Sequence, residues 1–256
     1  MQESENRKYA VRNFTTFSAY LALLEEEKKN EEKSANKSDF IFRGQPIDKP
    51  LLPVLARKKT KGKLLTIEQL LLEEFKRTSL PFIEFSPKND WQCLSIAQHH
   101  GLPTRFLDWT YSALAALWFA VRNPPVKDEK DKIQDGVVWI LKSNTSDFLN
   151  LSEDAENEET PFEIKRTRIY RPRFISRRIV AQAGLFTVHF TTDETDDFIP
   201  LEKNKFFSEK LIKVQVSHTK FEKIRQQLNS CGINSSSMIP DLDGLCKHIA
   251  WRYIHP

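Results

Sequence analysis

Ala97-Gln98-His99-His100-Gly101-Leu102-Pro103-Thr104-Arg105-Phe106-Leu107-Asp108-Trp109-Thr110-Tyr111-Ser112-Ala113-Leu114-Ala115-Ala116-Leu117-Trp118-Phe119-Ala120 holds a helix end, a turn, a strand and a new helix in one run. Gly101 and Pro103 stop the helix that begins near Trp91, and Thr104 to Leu107 leave in extended form. After Asp108 the period changes. Ala113, Ala116, Leu117, Ala120 and Val121 fall at i, i+3, i+4, i+7 and i+8, one apolar helix face, and Pro124-Pro125 closes it. This places Asp108 and Thr110 near a helix N-terminus. There they serve either as a cap or as groups beside an anion held by free backbone N–H groups. Polar residues crowd the junctions, where sites are built.

Outward from this stretch, Asp39 to Pro46 reads as a short buried strand ending on Arg43 and Gly44. A guanidinium at the end of a core strand needs a phosphate or a carboxylate as partner, and an internal ion pair satisfies it equally well. A helix is expected from about Thr16, with Phe17, Tyr20, Leu21 and Leu24 on one face, fraying in the charged run from Glu25 to Ser38. Arg57 to Lys63 forms a basic loop. Thr66-Ile67-Glu68-Gln69 reads as a capping box, with Ile67, Leu70, Leu71 and Phe75 buried behind it.

Gly136 to Leu141 and Leu211 to Val216 have strand character. Leu185 to Phe190 does too, after a bulge or close approach at Gly184. Thr219 to Glu222 looks like a second capping box, opening a helix with Phe221, Ile224 and Leu228 inward and Gly232 as its stop. Pro240 starts a last helix carrying Leu242, Leu245, Ile249 and Trp251. Without strict βα alternation or a repeat, the expected fold is α+β: a single domain with a mixed, split β-sheet flanked by helices. Residues 1–38 are read as an N-terminal helix and charged loop, and 39–256 as the main domain.

The 256 residues are 39% hydrophobic and 11% aromatic with seven glycines, which excludes collagenous and disordered classes. The net charge of +4 is too small to argue for a partner alone. Its distribution is more telling. Ser143 to Thr160 is polar and increasingly acidic through Glu156, Glu158 and Glu159. Lys165, Arg166, Arg168, Arg171, Arg173, Arg177 and Arg178 then follow with Tyr170 and Phe174 among them. This patch suits a nucleic-acid backbone, or pairs with the acidic run before it.

Cys93, Cys231 and Cys246 are widely spaced and odd in number, which fits a reducing compartment rather than a disulfide framework or a zinc site. The polar start is unlike a signal peptide and no apolar run is long enough to span a bilayer, so the expectation is a soluble cytoplasmic protein. Known nucleotide, hydrolase and zinc-protease motifs are missing. Adjacent His99 and His100 make a poor metal pair, one of them being better read as buried and hydrogen-bonded; no metal site is expected.

Five ordered blocks resemble the FRG-domain family: Phe42 to Gln45, Gln98 to Thr110, Ala116 to Ala120, Arg178 to Thr187 and Pro240 to Leu245. A more distant resemblance is to ADP-ribosyltransferases of the Arg-Ser-Glu type. Those proteins carry an aromatic-Arg-Gly at a strand end, a Ser-Thr-Ser strand followed by a helix, and a catalytic glutamate on a later strand. Arg43-Gly44 resembles the first element, and Thr104 to Thr110 with the helix to Ala120 the second. Gln182 stands where the glutamate would fall, and Asp108 is the alternative source of negative charge.

The resemblance implies NAD as substrate and no metal, with Arg43, Asp108 and Gln182 as catalytic residues. Arg43, Gly44, Gln45, Gln98, His99, Thr104, Arg105, Trp109, Thr110 and Tyr111 would bind it. Arg43 would hold the pyrophosphate, Trp109 or Tyr111 the nicotinamide ring, and Thr104, Asp108 and Thr110 would position the sugar. An NAD-consuming transferase acting on nucleic acid or protein, a toxin or an antiviral defence component, is one implied function. The others are a non-catalytic nucleotide or nucleic-acid binding module, and motifs that merely stabilise a core.

Overall fold

The computed structural model describes residues 8–33, 38–83, 87–128, 131–149, 160–172, 177–191 and 197–254. Chain order runs β1 (Ala10–Asn13), α1 (Phe17–Glu32), β2 (Asp39–Gln45), α2 (Leu64–Thr78), α3 (Asp90–His99), β3 (Phe106–Thr110), α4 (Ala113–Val121) and β4 (Gly136–Ser143). It continues through β5 (Arg168–Tyr170), α5 (Arg177–Gln182), β6 (Gly184–Val188), β7 (Leu211–Val216), α6 (Phe221–Ser230), α7 (Ser235–Met238) and α8 (Leu242–Ile254). The strands form one sheet in the order β1-β7-β4-β2-β3-β6-β5. Every pairing is antiparallel except β1 with β7, so the sheet is mixed.

The sheet is continuous rather than split, with its weakest joint at its centre. β2 pairs with β3 only through Phe42 and Thr110, whereas β2 and β4 align from Asp39–Ser143 to Gln45–Val137. Beyond that joint the strands part, and the Asp108 carbonyl accepts a hydrogen bond from Arg43 Nη1 at 2.7 Å.

Side chains alternate across a strand, so Phe42, its partner Thr110, and Asp108 and Phe106 share one face. Over half of that face α1, α4 and α6 bury Tyr20, Ala116, Leu117, Ile224 and Leu228 against Phe40, Phe42, Val138 and Ile140. Over the other half α2 and α3 bury Leu72, Trp91 and Leu94 against Phe106, Phe186 and Val188. Asp108 lies between these helical layers and is the one exposed position of β3. The opposite face buries Ile41, Trp109, Trp139 and Leu185 under loop residues Leu51, Leu201 and Phe207. Tyr20 of α1 also donates to the Ala113 carbonyl at 2.9 Å.

Gly44 lets α4 approach β2: a Cβ there would sit 1.8 Å from the Ala116 carbonyl oxygen and 2.8 Å from the Ala120 nitrogen. Gly44→Ala is expected to push α4 off the sheet at a cost of about 1–3 kcal/mol, read as a lowered denaturant midpoint. An unchanged midpoint would show that the helix can shift freely.

Several expectations are corrected. Ser112, not Asp108 or Thr110, caps α4, accepting from Ala115 N at 3.1 Å; β3 continues through Thr110 because that residue pairs with β2. The charged run after Glu25 stays helical to Glu32, held by Glu27 with Arg12 and Lys142 and by Glu31 with Lys142. α2 starts at Leu64, ahead of the Thr66 capping box, and turns Leu64, Glu68 and Leu72 inward while Leu70 is exposed. Arg177 to Gln182 is helical, and Ala183, just before β6, is left-handed (φ 46°).

The strand expected to run to Phe190 ends at Val188. α6 has Phe221, Ile224 and Leu228 buried as expected, but no side-chain cap at its start, and Glu222 bonds Arg225 instead. On α8, Leu242, Leu245 and Ile249 are exposed, so its apolar side is not part of the core. The buried histidine is neither His99 nor His100 but His189. Glu156, Glu158, Glu159, Arg173 and Phe174 lie outside the described residues. Among the described residues no helix is long and apolar enough to cross a membrane.

Candidate functional site

Where β2 and β3 part, a cleft of about 850 Å³ opens between the end of β2 and the loop after it, the C-terminal end of α3, β3 and the start of β6. Two neighbouring strands and a helix end deliver its polar groups: Arg43 from β2, Asp108 from β3, and Gln182 from the end of α5, just before β6.

Arg43 stands at the centre. Its side chain is 20% exposed, and Nη1 lies 3.7 Å from Asp108 Oδ2 besides bonding the Asp108 carbonyl. Its Nε is buried and finds no partner among the described residues. Burial pushes the Arg43 pKa down, Asp108 opposes that, and the neighbouring Arg57 charge adds to it. A guanidinium remains charged through such a shift, so the site carries positive charge with an unused donor. Arg57 is fixed by bonds from Nη2 to the Pro50 and Leu52 carbonyls at 2.7 and 3.2 Å.

Asp108 is held from the other side. Gln98 Nε2 donates to its Oδ2 at 3.0 Å, and Thr104 Oγ1 donates to Gln98 Oε1 at 2.7 Å. The side chain is still 59% exposed. A carboxylate oriented by the Gln98 amide and open to the cleft is equipped to meet positive charge on a ligand. Arg43, Lys49, Arg57 and Arg122 line the same space, and Asp108 is the single carboxylate among the described lining residues. The cleft therefore favours an anion, with one fixed negative group beside it.

Of the residues expected to form the site, Arg43, Gly44, Gln45, Gln98, His99, Asp108, Trp109, Thr110 and Gln182 line this cleft; Thr104, Arg105 and Tyr111 do not. Thr104 is buried behind Gln98. Arg105 is sealed in an ion pair with Glu68. Tyr111 turns toward Arg171, whose guanidinium lies 5.7 Å from its ring.

Several lining residues also serve the core. Trp109 is 3% exposed and donates its indole N–H to Thr187 at 3.1 Å, so it offers no free ring face. Gln45 accepts from the Trp139 indole at 3.2 Å. Thr110 donates to the Gln182 carbonyl and accepts from Ser112 N. The Gln182 amide donates to the Met238 carbonyl at 2.8 Å, which fixes it at the rim.

Lys49, Arg57 and Arg122 are additions that no motif announced, and the half-buried ring of Phe119 lies in the Ala116–Ala120 block without having been singled out. The basic character of the loop at Arg57 was the available signal, without any indication of what it faces.

Residues 38–129 match the family model described as the FRG domain. That segment contains Arg43, Gln98 and Asp108 and ends before Gln182. No curated protein and no solved structure matches the chain.

Proposed function

We propose that the cleft binds a nucleotide through its phosphates and, with NAD bound, acts as an ADP-ribosyltransferase-like site modifying nucleic acid or protein. The observation that carries this reading is Asp108, an open carboxylate beside Arg43 in an otherwise cationic cleft. Arg43 and Arg57 supply charge-assisted donors for a pyrophosphate.

The ribose–nicotinamide bond breaks with its electron pair leaving on nicotinamide, and positive charge develops on the sugar. Asp108 stabilises that charge until an acceptor hydroxyl, amine or water bonds the anomeric carbon and loses its proton to solvent water. Gln182 orients a ribose hydroxyl. Phe119 takes the ring-contacting role that Trp109 and Tyr111 are not placed to fill. An activity that consumes NAD harms the cell containing it, which fits a toxin or an antiviral defence component.

A second reading, a nucleotide-binding module without turnover, is favoured by Gln182 standing where the transferase resemblance has a glutamate. Calorimetry with NAD and a nicotinamide-release assay on wild type, Arg43→Ala and Asp108→Asn separate the two. Arg43→Ala is expected to weaken binding by roughly tenfold or more, a charged hydrogen bond being worth about 1.5–3 kcal/mol. Asp108→Asn is expected to keep binding and to lose roughly a hundredfold in release. Binding without release in wild type leaves the module reading. Absence of Arg43-dependent binding removes both.

A further inference from the structure

A second cavity, of about 1020 Å³, shares no lining residue with the cleft. It lies beside β5, the last strand of the sheet, so no further strand covers that side. Two separate segments bring positive charge to it. Lys165, Arg166 and Arg168 come from the approach to β5, and Lys203 and Lys205 from the chain before β7. Among the described lining residues Glu163 is the single carboxylate, and none of the five cations has a carboxylate partner among the described residues.

These cations rest on other groups. The Arg166 guanidinium lies 5.0 Å and Lys205 Nζ 5.1 Å from the centre of the Phe206 ring, which is 39% exposed. Arg168 Nη2 donates to the Phe148 carbonyl at 2.6 Å, while its Nε is buried with no partner among the described residues. Burial and the neighbouring Arg166 charge push the Arg168 pKa down, and the Asp147 charge opposes them.

We propose that this cavity is a binding site for single-stranded nucleic acid, with phosphates against Lys165, Lys203 and Lys205 and a base on the Arg166–Phe206 stack. Cationic side chains along a strand path with an aromatic platform are what a single strand needs, since every base has a face to stack. An acidic peptide would use the charges and leave the platform idle. Sequence pattern alone assigns only the first three cations to a patch; the fold adds Lys203, Lys205 and Phe206. The proposal is independent of the reading of the cleft.

The test is fluorescence anisotropy of labelled oligothymidylate and oligouridylate, roughly twelve nucleotides long, titrated with the full chain between about 50 and 200 mM salt. Contact with three phosphates gives a log–log salt slope of about −2, and Lys203→Ala/Lys205→Ala should shallow it by about 1.4. That variant is expected to bind roughly tenfold more weakly or worse, and Phe206→Ala roughly tenfold more weakly. All three side chains are exposed, so the fold should survive. Arg43→Ala should bind these oligonucleotides as wild type does. Wild type failing to bind, unchanged affinity in the lysine double variant or in Phe206→Ala, loss of binding in Arg43→Ala, or equal competition by polyglutamate of matched charge would each overturn the proposal.

Discussion

Glu68→Ala is expected to cost about 3–5 kcal/mol of stability. Glu68 and Arg105 are each 1% exposed, and the pair is bonded on several sides. Arg105 Nε donates to Glu68 Oε2 and its backbone N–H to Oε1, both at 2.7 Å; Nη1 donates to the Pro161 carbonyl at 3.0 Å, and the guanidinium lies 4.9 Å from the Phe162 ring. The contact thus ties α2, the entry to β3 and the 160–164 segment together. Removing the carboxylate leaves a buried guanidinium without its counter-charge, and the Arg105 Nη2 is already without a partner among the described residues. A drop of roughly 10 °C in melting temperature follows for a chain of this size.

Replacing both partners by methionine should recover most of that loss, because the desolvation of two ions is removed along with their attraction. A loss below about 1 kcal/mol in Glu68→Ala would mean that the site admits water or that Arg105 finds another partner. Nucleotide binding per folded molecule should be unchanged in the double variant, since Arg105 is not in the cleft. A loss of binding there would return Arg105 to the ligand site.

Arg105 also shows where sequence reading stops. In the run Thr104-Arg105-Phe106 nothing distinguishes an arginine aimed at a ligand from one aimed at a glutamate 37 positions away. Arg43 looked the same locally, and the fold separates them: one strand end opens into the cleft while the other is covered by α2. Elements with a clean period were legible. β7 and the buried face of α6 emerged as read because their apolar spacing needs no distant partner. The Asp108 cluster was legible as a concentration of polar residues, but Gln98 and Thr104 were read as ligand-binding, and that they form a hydrogen-bonded chain to Asp108 was not.

Misreadings arose where tertiary contacts override local signals. Glu27 holds α1 helical through a charged run, and Glu68 belongs to Arg105 rather than to a capping box. β1 is four residues, Ala10 to Asn13, defined only by its partner β7. The expected split in the sheet is not there, but β2 and β3 are joined only through Phe42 and Thr110, and the cleft lies where they part.

Acid should destabilise the protein through His189 well before its carboxylates are all protonated. The imidazole is fully buried, and the pKa is pushed down to about 3, chiefly by that burial, with the Arg43 and Arg105 charges adding to it. Trp109 Nε1 donates to Thr187 Oγ1, which lies 3.2 Å from His189 Nε2. Nε2 therefore shares its proton or its lone pair with that hydroxyl, while the buried Nδ1 has no hydrogen-bond partner among the described residues. A second proton would put a positive charge on a ring with no carboxylate beside it and two arginine charges near it.

The unfolded chain takes up that proton near pH 6.5, the folded one only near 3, so the unfolded state binds more protons between those limits. The stability contributed by neutral His189 is therefore complete above about pH 6.5 and declines as the pH falls toward 3. At pH 5 this amounts to about 2 kcal/mol, from roughly 1.5 pH units at about 1.36 kcal/mol each. Urea unfolding of wild type and His189→Gln at pH 7.5 and pH 5 isolates the term, because other titrating groups are common to both and glutamine retains a hydrogen-bonding group for Thr187. Wild type should lose about 2 kcal/mol more than the variant between the two conditions. Equal losses would mean that His189 is protonated in the folded state or reached by water, and the buried Trp109–Thr187–His189 chain would then not be the neutral network its geometry describes.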